Sequence, residues 1–164
     1  MKMLTFEQLL PPVTDLGIDF AASLQSWSWL FDPASCKPVL ITTLGDLFVS
    51  IDDEIFFLDS ENGTFARVAS SVGEWKRAVE DAENQLEWFC PPLVQTLLEH
   101  GLTLRQEQVF SPLLPPVLGG RHVPENYVGS QWRNHLHVMG QVHHQIKNLP
   151  PGTKLDQITF DRIE

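Results

Sequence analysis

The sequence predicts a single α+β domain in which an antiparallel β-meander sheet is flanked by helices. Three observations predict it. Between residues 39 and 69, four short apolar and β-branched runs alternate with polar turns, which is the spacing of strands joined by hairpins. After Ser71, and again after Gln131, apolar residues recur at helical intervals. The 164 residues include five Trp and ten Phe and are 43% hydrophobic, enough to fill one core without a disulfide or a metal.

Residues 1–14 read as a short helical turn ended by Pro11-Pro12. A helix is expected from Asp19 to Leu30, with Phe20, Leu24, Trp27 and Leu30 on one face, stopped by Asp32-Pro33. Val39–Thr43, Asp46–Ile51, Glu54–Leu58 and Thr64–Val68 read as four strands. Asp52-Asp53 and Asn62-Gly63 supply the turns, since short polar residues and glycine tolerate positive φ. Ser71-Val72-Gly73-Glu74 matches a capping box. The helix it opens carries Trp75, Val79, Ala82, Leu86 and Phe89 on one face. Pro91-Pro92 interrupts that helix and suits the first turn of another, ending near His100 and Gly101. Residues 102–130 are rich in proline and glycine and read as irregular, with Val109-Phe110 and Tyr127-Val128 as short strands. Gln131–Leu149 is the clearest helix, and Pro150-Pro151-Gly152 ends it. In the tail, Gln157–Phe160 reads as an edge strand.

The chain has 21 acidic and 11 basic residues, a net charge of −10. The imbalance sits in residues 1–120, which hold 17 acids and 6 bases; residues 121–164 hold 4 and 5. Such a surface repels nucleic acid, attracts basic partners and keeps the protein soluble. Arg121, Arg133, Lys147 and Lys154 are too dispersed for a nucleic-acid patch. Cys36 and Cys90, the only cysteines, read as free thiols of a reducing compartment. No run approaches the ~20 apolar residues of a membrane span, and Pro11-Pro12 and Asp15 break up any leader-like stretch. The expected location is the cytoplasm, with no membrane partner.

Four histidines, His135, His137, His143 and His144, fall in the last helix. Zinc ligands on a helix need an i, i+3 or i, i+4 pair, and no two of these have it. His135 and His143 lie on the apolar face and read as histidines with one nitrogen hydrogen-bonded. His137 and His144 share the opposite face but stand about 10 Å apart along the axis. No metal and no cofactor is expected. Six carboxylates fall between Asp46 and Glu61 with no base among them. Their alternation with strand apolars excludes a calcium loop. Charges at turns and edges discourage sheet-to-sheet association; the functional alternative is a patch of Asp52, Asp53, Glu54, Asp59 and Glu61 that docks on a basic partner. Asp46, after Gly45, suits a carboxylate accepting backbone N–H groups where the second strand begins. No Gly-x-Ser-x-Gly nucleophile elbow is present, and Leu118-Gly119-Gly120 lacks the lysine of a phosphate loop. No catalytic residue is assigned.

Several segments, taken in order, resemble one bacterial family. They are Thr42-Thr43-Leu44-Gly45-Asp46-Leu47-Phe48; Phe57-Leu58-Asp59 with Asn62-Gly63; and Glu107-Gln108-Val109-Phe110. Leu114-Pro115-Pro116-Val117-Leu118-Gly119-Gly120 with Glu125-Asn126, then His135-Leu136 and Gln141, complete the set. The set resembles the C-terminal domain of type VI secretion system immunity proteins that protect bacteria from a DNase toxin, a domain often described as of unknown function. The resemblance covers about residues 25–148. It implies a helical extension over 1–24, an immunity-like α+β domain over 25–150 and a tail over 151–164. It also implies structural roles for Gly45, Asp46, Leu118, Gly119, Gly120, Asn126 and His135. The expected function is non-enzymatic: direct binding and neutralisation of a cognate toxin. The alternatives are a general protein-interaction domain with another partner and a small metal-dependent hydrolase built on the histidine helix.

Overall fold

The computed structural model describes residues 4–160. It has the predicted α+β architecture, with its strands divided between two sheets. Strands β1 (Lys37–Ile41), β2 (Leu47–Ile51), β3 (Glu54–Asp59) and β4 (Thr64–Ala69) form an antiparallel sheet in sequence order. Asp52 and Asp53, at φ 50° and 66°, make a two-residue turn that pairs Ile51 with Glu54. Two successive left-handed residues match the right-handed twist of a hairpin. Strands β5 (Gln108–Pro112) and β6 (Tyr127–Gln131) form a second antiparallel pair. The Phe110 amide ties it to the first sheet by donating to the Thr43 carbonyl at 2.7 Å.

Helices cover both faces of the larger sheet. Alternation along β2 sends Phe48 to one side and Leu47 and Val49 to the other. Phe48 packs with Ile55, Trp75, Trp88 and Phe89, from the side of α2 (Val72–Val79), α3 (Ala82–Phe89) and α4 (Pro91–Glu99). Leu47 and Val49 join Trp27, Trp132, Leu136 and Met139, from the side of α5 (Trp132–Ile146). Leu47, Phe48 and Val49 are consequently all fully buried. Each such side chain contributes about 1.5–3 kcal/mol of transfer free energy, so β2 is the centre of the molecule.

Four expectations need correction. The helix expected over 19–30 is broken into α1 (Phe20–Ser23) and a 3₁₀ turn, Gln25–Trp27. The Ser23 hydroxyl bonds back to the Asp19 carbonyl at 2.9 Å. Trp27 Nε1 donates to the Leu136 carbonyl on α5 at 2.9 Å. These side-chain bonds compete with helical continuation. The helix after Ser71 is also two helices. Ser71 Oγ accepts from the Glu74 amide at 3.1 Å, but the Glu74 carboxylate turns to Ser70. Asp81 then starts α3 by accepting from the Glu83 and Asn84 amides, an N-cap hidden inside a continuous apolar stripe. In the tail, Gln157–Phe160 forms no strand; Thr159 instead exchanges hydrogen bonds with the Gln145 side chain. Finally, the first strand runs Lys37–Ile41, because Thr42 and Thr43 are spent on the turn into β2. The Thr42 carbonyl accepts from the Gly45 amide at 3.0 Å, and the Thr42 amide donates to the Asp46 carbonyl at 2.9 Å.

Candidate functional site

The residues singled out from the sequence separate into three places. Asp52, Asp53 and Glu54 sit on the β2–β3 turn, where Glu54 pairs with Arg67. Asp59 and Glu61 sit on the β3–β4 turn. The six residues of β3 put these two groups about 17 Å apart. The five acids therefore do not form one patch along the strand.

Asp59 is occupied in shaping its turn. Its Oδ1 accepts from the Glu61 and Asn62 amides, and its Oδ2 from Asn62 Nδ2 at 2.8 Å. Glu61 points away from the turn and meets His122 Nε2 at 2.5 Å.

The third place is the loop of Leu118, Gly119 and Gly120, which Asn126 holds. Asn126 Oδ1 accepts from the Leu114 amide, and Nδ2 donates to the carbonyls of Leu114 and Arg121. A Cβ on Gly120 would lie 1.7 Å from the Leu114 carbonyl oxygen, so only glycine permits this closure. Gly119, at φ 101°, ends the 3₁₀ turn Pro116–Leu118. The motif is a rigid loop that leaves Leu113, Leu114 and Val117 exposed.

Gly45, Asp46 and His135 meet beneath the β3–β4 turn. Asp46 Oδ1 accepts from the Ser60 amide and hydroxyl, both at 2.8 Å. Ser60 Oγ lies 3.0 Å from His135 Nε2, and His135 Nδ1 lies 2.8 Å from Ser111 Oγ. With Asp46 ionised, every group finds a partner in one direction. Ser111 donates to Nδ1, Nε2–H donates to Ser60, and Ser60 donates to Asp46. On the next turns of α5, His143 Nε2 reaches the Ser60 carbonyl at 3.0 Å. Both apolar-face histidines thus anchor α5 to one serine. His144 is exposed and stacks on Trp29, and His137 pairs with Gln141.

Asp46, Ser60 and His135 are the residue types of a nucleophilic triad in a different order. Here the carboxylate touches the serine, and serine hydroxyls occupy both imidazole nitrogens. A triad places the imidazole between serine and carboxylate. Burial pushes the His135 pKa down to about 4, which makes it a poor base at neutral pH. Among the described residues, no group of three or more His, Cys, Asp or Glu is arranged to hold a metal ion.

Burial, and then the nearby Asp59 charge, push the Asp46 pKa up to about 8, against the opposing bonds from Ser60. Between its ordinary 3.8 and about 8, the folded state holds the extra proton, so stability falls as pH rises. His135 acts in the opposite sense between about 4 and its ordinary 6.5, where the unfolded chain holds the proton. Above pH 6.5 the Asp46 slope stands alone of the two. Denaturant midpoints of the wild type are expected to drop from pH 6.5 to 8, and Asp46→Asn, which keeps the acceptor for Ser60, is expected to abolish that drop. Equal slopes in the two proteins would show that Asp46 is ionised throughout.

Asp46, Ser60 and His135 also line a cleft of about 450 Å³. Its walls come from the β3–β4 turn, the α3–α4 junction and the start of β6. Cys90, at φ 45°, makes the sharp junction that lets α4 restart at Pro91, and burial raises its thiol pKa. The sequence by itself does not single out Ser60, Ser111, Glu87, His122 or Tyr127. Only Tyr127 carries a hint, as the single tyrosine of the chain.

Among the described residues, no helix is long and apolar enough to cross a membrane. No curated protein matches the chain. A family model does. Its match runs from the end of β4 into α5 and takes in Leu118, Gly119, Gly120, Asn126 and His135. Over residues 69–143 the chain matches the family described as T6SS immunity protein Tdi1, C-terminal, and its resemblance to the type VI secretion immunity proteins is shown for that part of the chain.

Proposed function

We propose that the protein is an immunity protein that neutralises a cognate bacterial toxin, a DNase by the family likeness, through direct and non-enzymatic binding in the cytoplasm. The observation that carries the binding mode is the character of the cleft. Asp46, Asp59, Glu61 and Glu87 line it, and no lysine or arginine does among the described residues. A DNase must attract phosphates with positive charge, and an acidic inhibitor competes for that same field. The cleft end of β3 is the favoured contact, because Asp59 and Glu61 are reinforced there by Glu87. Asp52 and Asp53 stand at the other end.

The test is co-expression with the toxin encoded beside this gene, followed by affinity measurement on the purified pair. Survival of the host, a stable complex and an affinity that falls with rising salt are expected. Neutralising Glu61 and Glu87 together is expected to weaken the complex at least tenfold, about 1.4 kcal/mol. Asp52→Asn, Asp53→Asn and Glu54→Gln together are expected to cost less. A salt-insensitive complex, or one indifferent to both sets, would remove the electrostatic mode. Continued killing in the presence of this protein would remove the immunity role for that toxin.

A further inference from the structure

We propose that the cleft is a cation pocket that takes one basic side chain of the toxin, an arginine, inserted between the β3–β4 turn and the α3–α4 junction. This rests on the immunity reading above and names the part of the partner that the site receives.

Three independent features point to this occupant. The first is unbalanced charge. Asp59, Glu61 and Glu87 line one space together with Asp46, and among the described residues its basic side chains are two histidines, His122, already engaged by Glu61, and His135, held between two serines. The second is aromatic. Phe57, Trp88 and Tyr127 line the same cleft. Aromatic faces attract cations through the ring quadrupole, and more strongly where water is excluded. The third is an unpartnered polar group. Tyr127 is only 7% exposed and lines the cleft, yet its hydroxyl makes no hydrogen bond among the described residues. Burial, and then the neighbouring Glu61, raise its pKa, so it stays a neutral phenol that can accept a hydrogen bond. The hydroxyl is not one of the enclosed unpartnered polar atoms, which among the described residues are Thr43 Oγ1 and Trp75 Nε1; on a residue that lines the cleft, it is open to a ligand that supplies a donor.

A guanidinium fits these features better than an ammonium. It presents five donors in a plane, has no acceptor and stacks on aromatic rings. The lining supplies both carboxyl and aromatic side chains. Its volume of about 450 Å³ exceeds that of one side chain, leaving room for the backbone that carries it. Leu86, 57% exposed at the rim, offers apolar contact to that flanking segment. A bound cation also favours the ionised form of Asp46, so binding tightens as pH rises from 6.5 towards 8.

The experiment titrates N-acetyl-arginine amide into the isotope-labelled protein. N-acetyl-citrulline amide, which has the same shape without the charge, is titrated in parallel, and amide resonances are followed by NMR. The arginine probe is expected to shift residues 59–62, Tyr127 and their cleft neighbours at millimolar concentration, and the citrulline probe to leave them in place. Glu61→Gln and Tyr127→Phe, which preserve shape, are each expected to weaken both the probe and the toxin complex about tenfold. Equal responses to the two probes, or cleft resonances that stay still, would overturn the cation pocket even if the wild type still binds toxin, leaving the immunity reading intact. Arginine binding with a toxin complex unaffected by either variant would overturn the toxin as the occupant and leave a small organic cation. Failure of the wild type to bind toxin at all would overturn the immunity reading and, with it, this occupant.

Discussion

Gly45→Ala is expected to destabilise the protein by about 3 kcal/mol, combining ~1–2 for a left-handed non-glycine residue with ~1–3 for steric overlap. Gly45 sits at φ 83°, and an added Cβ would lie 2.3 Å from His135 Cδ2 and 2.4 Å from Nε2. His135 is held on both sides by Ser60 and Ser111 and has nowhere to retreat. Two further glycines separate the contributions. Gly101 has φ 84° with nothing within 4 Å of an added Cβ, so alanine there reports the backbone strain alone. Gly17 has neither constraint, and alanine there is expected to be neutral. Urea denaturation midpoints of the three variants check the ordering. If Gly45→Ala costs no more than Gly101→Ala, the close packing of His135 on this turn is wrong. In the double variant with His135→Ala, the two losses are expected to be less than additive, since the overlap disappears with the ring.

Glu107→Ala is expected to cost about 2–3 kcal/mol, because it leaves the buried Trp132 Nε1 without its acceptor and releases the bonds that hold Thr14 and Asp15. Glu107 is 9% exposed. Its Oε1 accepts from the Thr14 amide at 2.7 Å, the Thr14 hydroxyl at 3.0 Å and the Asp15 amide at 3.2 Å. Its Oε2 accepts from the buried Trp132 Nε1 at 3.1 Å. The backbone joins in: the Glu107 amide donates to the Pro12 carbonyl, and the Trp132 amide donates to the Glu107 carbonyl. One residue thus ties the N-terminal segment to the start of α5. Hydrogen exchange is expected to show Thr14 and Asp15 losing protection in the variant while β2 keeps its own.

The same carboxylate predicts acid sensitivity. Burial raises its pKa, but the bonds from Thr14, Gln106 and Trp132 outweigh that and leave it below the ordinary 4.5. Its contribution is therefore fully present above 4.5 and is lost as pH falls through the lower folded value. Wild type and Glu107→Ala should converge in stability towards low pH. A gap that persists undiminished in acid would argue that Glu107 acts by packing and not by charge.

The strands and turns of the meander are legible in the sequence because their causes are local. Alternation in Leu47–Ile51 and the pair Asp52-Asp53 act over a few residues, and the hairpin follows from them. Two helix boundaries escape the sequence for the complementary reason. Asp81 caps α3 in the middle of an apolar stripe that reads as continuous, and Trp27 leaves its helix for a carbonyl 109 residues away. The acidic stretch is equally visible, but not its division between the two ends of β3, which depends on where the strand is placed.

The site is legible only as separate letters. Gly45, Asp46, His135 and Asn126 stand out through their ordered likeness to a family, without a reason for each. The reasons are contacts at long separation: Asp46 to Ser60 across 14 residues, Ser60 to His135 across 75, and Trp132 to Glu107 across 25. Sequence by itself determined the fold class, the turn positions, the sign of the surface charge and the absence of nucleophile-elbow and phosphate-loop motifs, because these follow from composition and near neighbours. Only the tertiary structure decided that four acidic side chains and three aromatic rings, one of them the phenol of Tyr127, share one cleft. Which distant side chains meet is set by the packing of helices on both faces of the sheet, and no local pattern encodes it.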